Sequence, residues 1–303
     1  MSKVVFALDL GGTNARFAAI RDDGEVLARA HAKTPRFGSS GSVLEMISGG
    51  FAEIADMVPV SQTVVGVTAA VPFGSGQGVL TNLPNLPALE GVDLGKELRL
   101  STKLPVEIIN DATAATIGEH WLGASRGIEN VIGVTLGTGI GGGLIIGGRP
   151  YYGSGGSAGE VGHICVEPEG HPCGCGSRGC VEQYASGTAL VRMANEAGIT
   201  VETSLELYTA AKSGDDRAQA IFYKMGSYLG IVFAGLVNIF NPDVIVVGGG
   251  VSAGWDLFID AVRNEVNKRA FRDPAEHANI VRASLGEDAG VLGAALIAFE
   301  RAA

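Results

Sequence analysis

Basic residues are scarce. Lysine and arginine number 22 against 32 aspartates and glutamates in 303 residues, a net charge of −10 and a pI near 5.0. Binding to nucleic acid depends on clustered Lys and Arg displacing counterions, so this balance argues against a nucleic-acid surface. It leaves room for a phosphate held by backbone amides. Long apolar runs are missing too. The opening MSKVVFALDLGG has one lysine and five apolar residues before Asp9, which fits neither a signal peptide nor a membrane span, and no later run reaches 18 residues. The expectation is a soluble, cytoplasmic protein with no membrane partner. Cysteines are only four, all between Cys165 and Cys180. In a reducing compartment, clustered cysteines more often hold metal than form disulfides.

Hydrophobic residues make up 46% of the chain and glycines number 46. That is enough apolar material for one large domain or two of ordinary size without help from a metal. The glycines sit in clusters beside strand-like runs, the pattern of functional turns and not of a low-complexity tract. Val4 to Leu8, Ala15 to Ile20 and Val26 to His31 read as consecutive antiparallel strands. A helix over 42–57, a strand over 63–68 and a loop to about Pro87 follow. Next come a strand over 106–109 and a helix over 111–121 that opens at an Asn-Asp cap. Then the opening repeats. VFALDLGGT (5–13) and IGVTLGTG (132–139) are buried-strand runs that end in glycine turns and continue into ARFAAI and GLIIGG. Helices over 187–197, 204–213 and 216–240 and a strand over 244–247 complete the second copy, and a final helix over 290–301 is expected to pack back onto the first lobe. This duplication predicts two similar α/β lobes: a smaller one over 1–110 with about 290–303, and a larger one over 111–289 carrying the cysteine segment.

Backbone N–H groups in glycine turns can surround phosphate oxygens at a range any Cβ would obstruct. Gly137, Gly139 and Gly142 satisfy G-x-G-x-x-G, but that dinucleotide motif must open a helix, and the sequel GLIIGGRPYY reads as a strand. GVDLGKEL has the wrong spacing for a Walker A loop. In DLGGT, Asp9 ends a buried strand and Gly11, Gly12 and Thr13 form the bend, placing a carboxylate near a magnesium-bound water and a hydroxyl near a phosphate. The plain alternative is an ordinary hairpin with Asp at its rim; a second loop at the equivalent place favours the phosphate reading. Asp111, at a strand-to-helix turn, suits either a general base or a helix cap. His163, Cys173, Cys175 and Cys180 supply one nitrogen and three sulfurs, the donor set of a closed zinc site. On spacing alone, Cys165 or His171 could replace His163.

Asp9-Leu10-Gly11-Gly12-Thr13, the segment from Leu136 to His163 with GTGIGGG and GEVGH, and Cys173-Gly-Cys-Gly-Ser-Arg-Gly-Cys-Val-Glu182 together resemble the ROK family of sugar kinases, repressors and uncharacterised reading frames. The likeness extends over essentially the whole chain. It implies an actin-like, hexokinase-type α/β fold of two RNase H-like lobes around a central cleft. It places Asp9, Gly11, Gly12, Thr13, Thr138 and Gly139 at the phosphates of ATP with Mg2+, and Gly248, Gly249 and Gly250 near the adenosine. Asn110 would bind a sugar hydroxyl and Asp111 would be the base, with Asn85, Glu160, His163 and Glu182 as further sugar contacts. His163 becomes the fourth ligand of a structural Zn2+, and Cys165 is left as a strand residue. Zinc on one imidazole nitrogen would fix the other and hold the sugar-binding side chains in register. One departure is that the family's Pro-Gly is here Pro72-Phe73-Gly74. The implied activity is ATP-dependent phosphorylation of the 6-hydroxyl of glucose, by a homodimer or homotetramer. The alternatives are an N-acetylhexosamine (GlcNAc or ManNAc) or fructose kinase, and last a sugar-sensing regulator. Family repressors carry an N-terminal helix-turn-helix, whereas this chain enters its first strand by Val4.

Overall fold

A computed structural model describes residues 2–35, 37–59, 63–71, 79–80, 83 and 86–302. Asn85 and the Pro72-Phe73-Gly74 segment lie outside the described residues. In chain order the elements begin β1 (Lys3–Leu10), β2 (Asn14–Arg21), β3 (Val26–Lys33), α1 (Ser40–Met57), β4 (Thr63–Val71), α2 (Leu94–Thr102), β5 (Val106–Asn110) and α3 (Asp111–Leu122). There follow β6 (Val131–Leu136), β7 (Ile140–Ile146), β8 (Arg149–Pro150), α4 (Glu182–Ala185), α5 (Gly187–Glu196), α6 (Ser204–Lys212) and α7 (Asp216–Phe240). The chain closes with β9 (Val244–Gly248), α8 (Trp255–Arg269), α9 (Arg272–His277), β10 (Asn279–Arg282) and α10 (Ala289–Ala302).

The chain forms two compact units. The first comprises Met1–Arg126, Pro150–Ala158 and Glu287–Ala303; the second comprises Gly127–Arg149 and Gly159–Gly286. The first unit thus runs past the expected boundary at Asn110 to Arg126, taking in α3, and adds Pro150–Ala158. That helix packs on α10 through glycines: a Cβ on Gly118 would overlap the Ala289 carbonyl oxygen, and one on Gly293 the Ala114 carbonyl oxygen.

In the first unit the strand order is β3-β2-β1-β4-β5. β1 is antiparallel to β2 and parallel to β4, which is parallel to β5. A strand with both faces covered reads as a continuous apolar run, and β1 (KVVFALDL) is buried along nearly its whole length. α1 closes one face with Val43, Ile47, Phe51 and Ile54, buried at helical spacing, and Ser39 caps it. Leu8, Leu10, Phe17 and the loop residues Leu80, Leu86 and Leu89 complete the core.

The second unit has the order β10-β9-β6-β7-β8, which is the first order with β6 for β1, β7 for β2, β8 for β3, β9 for β4 and β10 for β5. β6 is antiparallel to β7 and parallel to β9, which is parallel to β10, just as β1 is antiparallel to β2 and parallel to β4, which is parallel to β5. The duplication read from two glycine turns is thus present at the level of the sheets. α7 is the one helix among the described residues long and apolar enough to cross a membrane, yet 61% of its most apolar stretch is buried. It packs along α8 as the core helix of the unit.

Candidate functional site

Parallel strands leave their loops at their carboxyl ends, where open α/β sheets bind ligands. In the first unit, cross-strand pairing runs Asp9 to Ala70 to Ile109, so Asp9 and the Asn110-Asp111 pair stand at the same edge of the sheet. The glycine turn beside Asp9 is tightly held. Gly11 N–H donates to the Asn14 carbonyl at 3.0 Å, the Thr34 hydroxyl to the Gly11 carbonyl at 2.8 Å, and Thr34 N–H to the Thr13 carbonyl at 3.0 Å.

The Asp9 side chain is only 19% exposed. Burial pushes its carboxyl above the usual aspartate range, and Arg16 pulls the other way. Arg16 Nη1 lies 3.5 Å from Asp9 Oδ2, and its Nη2 donates to Glu287 Oε1 at 2.8 Å. At the head of α3, capping belongs to Asn110, whose Oδ1 accepts from Thr113 N–H at 3.0 Å. Asp111 Oδ1 accepts from Ala112 N–H at 2.8 Å. The neighbouring asparagine therefore performs the capping that competed with catalysis as the reading of Asp111.

In the second unit, the loop Gly137-Thr138-Gly139 leads into β7, a strand and not a helix, which disposes of the dinucleotide motif. The loop is held from the 180s. Gly187 N–H donates to the Gly137 carbonyl at 2.8 Å, and the Thr188 hydroxyl to the Thr138 carbonyl at 2.9 Å. Ile140 N–H donates to Glu182 Oε2 at 3.0 Å. A Cβ on Gly139 would overlap Glu182 Oε2, so a side chain there would displace that carboxylate. Gly248, Gly249 and Gly250 leave the carboxyl end of β9 beside β6, where Gly249 adopts φ +84° against the backbone of Leu136.

The ligand atoms of His163, Cys173, Cys175 and Cys180 all lie within 4.8 Å of one another. Cys173 Sγ is 3.6 Å from His163 Nδ1, and Cys175 Sγ is 3.6 Å from Cys180 Sγ. Three sulfurs and one nitrogen at this spacing fit around a tetrahedral ion with metal–sulfur bonds of about 2.3 Å. Burial and the neighbouring sulfurs push the Cys180 thiol up to about 12, while the backbone N–H of Ser177 holds the Cys175 thiol below the usual range. Cys165 bridges to Cys180 through the backbone and is exposed outside the cluster. The backbone N–H of His171 donates to the Tyr184 hydroxyl at 2.9 Å, and its ring lies 5.5 Å from that of Tyr184. Of the spacing alternatives, His163 is the residue in the cluster. With Nδ1 turned to Cys173, its Nε2 faces Glu160 Oε2 at 3.9 Å.

Two groups of residues went unread in the sequence. Gly187 and Thr188 grip the second loop just after Ser186, the N-cap of α5, and the capping signature S-G-T before ALVRM was the available signal. Arg16 is the other. Counting back through the hairpin places it opposite Asp9.

Residues 5–301 match the ROK family. A glucokinase of Thermotoga maritima is 33% identical, over 98% of this chain and 98% of its own. An N-acetylmannosamine kinase of Escherichia coli is 32% identical, over 96% and 97%. Among solved structures, a ROK family glucokinase from Streptomyces griseus in complex with glucose and AMPPNP superposes with a TM-score of 0.84 at 33% identity, covering 98% of this chain and 99% of that one. Matched along nearly its entire length in sequence and in fold, the chain belongs to the ROK family.

Proposed function

We propose that the protein is an ATP-dependent hexose kinase that phosphorylates the 6-hydroxyl of glucose. The observation that carries this reading is the pair of equivalent glycine hairpins, each at the carboxyl edge of its own sheet, one with Asp9 and the other with Thr138 and Gly139. Phosphoryl transfer needs positioning, charge neutralisation and an acceptor for the hydroxyl proton, and little else from the protein. Asp111 takes that proton and Asn110 binds a sugar hydroxyl. Glu160, His163 and Glu182 supply further directional bonds to sugar hydroxyls. Asp9 is the carboxylate for a magnesium-bound water, Gly11, Gly12 and Thr13 with Thr138 and Gly139 take the phosphates, and Gly248 to Gly250 the adenosine. His163, Cys173, Cys175 and Cys180 would hold a zinc ion. With four protein ligands it has no open position, so it contributes orientation and folding energy.

A second reading, an N-acetylhexosamine kinase, is favoured by one observation: the identity to the N-acetylmannosamine kinase, 32%, nearly equals that to the glucokinase, 33%. A coupled assay with magnesium-ATP and a panel of glucose, mannose, fructose, N-acetylglucosamine and N-acetylmannosamine separates the two. The expected result is the highest kcat/KM for glucose. Turnover confined to N-acetylated sugars would replace the first reading with the second, and no turnover of any sugar would remove both.

A further inference from the structure

Nine residues of the second unit, Cys180 to Thr188, tie the metal cluster to the second glycine loop. Cys180 is one of the four clustered ligands. Two residues on, Glu182 accepts from Ile140 N–H with Oε2 at 3.0 Å, while its Oε1 lies 4.0 Å from Cys173 Sγ. After the single helical turn of α4 come the bonds from Gly187 and Thr188 to the loop carbonyls of Gly137 and Thr138. Loop residues 137–140 are thus held at three points by one short segment anchored at the metal ligands.

The carboxylate of Glu182 therefore meets two donors, the backbone N–H of Ile140 on one oxygen and the thiol of Cys173 on the other. Cys180, two residues before Glu182 in the chain, and Cys173, whose sulfur lies beside Oε1, both belong to the cluster. An ion held there would fix the backbone that carries Glu182 and the sulfur against its carboxylate, and with them the oxygen that accepts from Ile140 N–H. We propose that Glu182 is a positioning residue for the loop 137–140, and that zinc at His163, Cys173, Cys175 and Cys180 sets the shape of that loop through it. The assignment rests on the kinase reading only in naming the loop a nucleotide loop. It adds to that reading a coupling of zinc to nucleotide affinity, beside the expected coupling of zinc to the sugar.

The test compares zinc-loaded wild type, chelator-stripped wild type, Glu182→Ala and Gly139→Ala. Three quantities are measured: zinc content, amide hydrogen exchange of the 137–140 segment, and the affinity for a non-hydrolysable ATP analogue without sugar. A hydrogen bond to a charged acceptor protects its amide by about 10-fold or more. Glu182→Ala should keep one zinc per chain yet exchange the Ile140 amide at least about 10-fold faster, and bind the nucleotide several-fold more weakly. Stripping zinc from wild type should produce the same loop signature, and stripping it from Glu182→Ala should add little. Gly139→Ala puts a methyl where Glu182 Oε2 lies and should reproduce the effect with Glu182 still present, so a failure of Glu182→Ala to fold leaves the test standing. Unchanged exchange at Ile140 in zinc-stripped wild type, or in either zinc-loaded variant, overturns the proposal. Exchange and zinc content are read without turnover, so these outcomes are independent of the sugar assay.

Discussion

Replacing Arg16 by methionine keeps most of the bulk and removes the cation between Asp9 and Glu287. At the observed 3.5 Å, two unit charges attract by about 5 kcal/mol at an effective dielectric of about 20. The desolvation of both groups offsets much of this. Losing one partner of a fully buried pair costs about 3–5 kcal/mol, whereas an exposed pair is worth about 0–1. Arg16 and Asp9 are 27% and 19% exposed, so the deficit belongs between these limits, at about 2 kcal/mol at neutral pH. The contact with Glu287, which is 73% exposed, adds about 0.5 kcal/mol at most.

The pH dependence identifies the cause. Arg16 favours the charged form of Asp9, so the carboxyl titrates still higher in the variant than its already raised value in the wild type. The deficit is therefore complete above the variant's folded Asp9 value, and it disappears as pH falls through that value and then through the wild-type one. Glu287 acts in the same direction. Arg16 holds it below the usual glutamate range, and the stability this gives is lost as pH falls through its lowered value. Urea unfolding of both proteins at about pH 7 and about pH 4 provides the comparison. A deficit of equal size at both pH values, or none at about pH 7, would refute the assignment of Arg16 as the counter-charge of Asp9.

Asp111→Asn should lower turnover by roughly 100-fold or more with little change in sugar affinity, the signature of a lost general base; near-normal turnover in the coupled assay would reassign the base. Gly293→Ala forces a methyl into the Ala114 carbonyl oxygen, where backbone and not a pliable side chain must move. It should cost about 1–3 kcal/mol in urea unfolding, and a neutral result would mean that α3 and α10 are not in close contact.

The parts of the fold that the sequence revealed are those where local chemistry repeats. Asp9-Leu10-Gly11 and Thr135-Leu136-Gly137 do occupy equivalent places, at the ends of β1 and β6. The parts left unread had weak local signals. β10 offers only Ile280 and Val281 between Asn279 and Arg282, and β8 is two residues long; both are strands only because β9 and β7 lie beside them. β4 runs three residues beyond its expected end because Ala69 and Ala70, poor strand formers alone, are held between β1 and β5. α8 went unread although it is 15 residues long, since its apolar face is matched to α7 and not to a strong pattern of its own. In the site, the donor types around the cysteines were legible from spacing. Spacing left His163, Cys165 and His171 open, the family resemblance chose His163, and the geometry has it in the cluster; the grip of Glu182 on Ile140 required geometry.

The chain enters the first unit three times, and its last visit supplies α10, which lies against α3, β1 and β4. During synthesis this arrangement reverses the apparent order of folding. Roughly 165 residues separate α3 from α10, so at about 5–20 residues per second the nascent first unit waits on the order of ten to thirty seconds for its closing helix. The second unit, made later, finds all its strands and long helices within one continuous stretch of translation and can complete itself first. The half of the protein that leaves the ribosome earliest is thus the half that needs shelter longest.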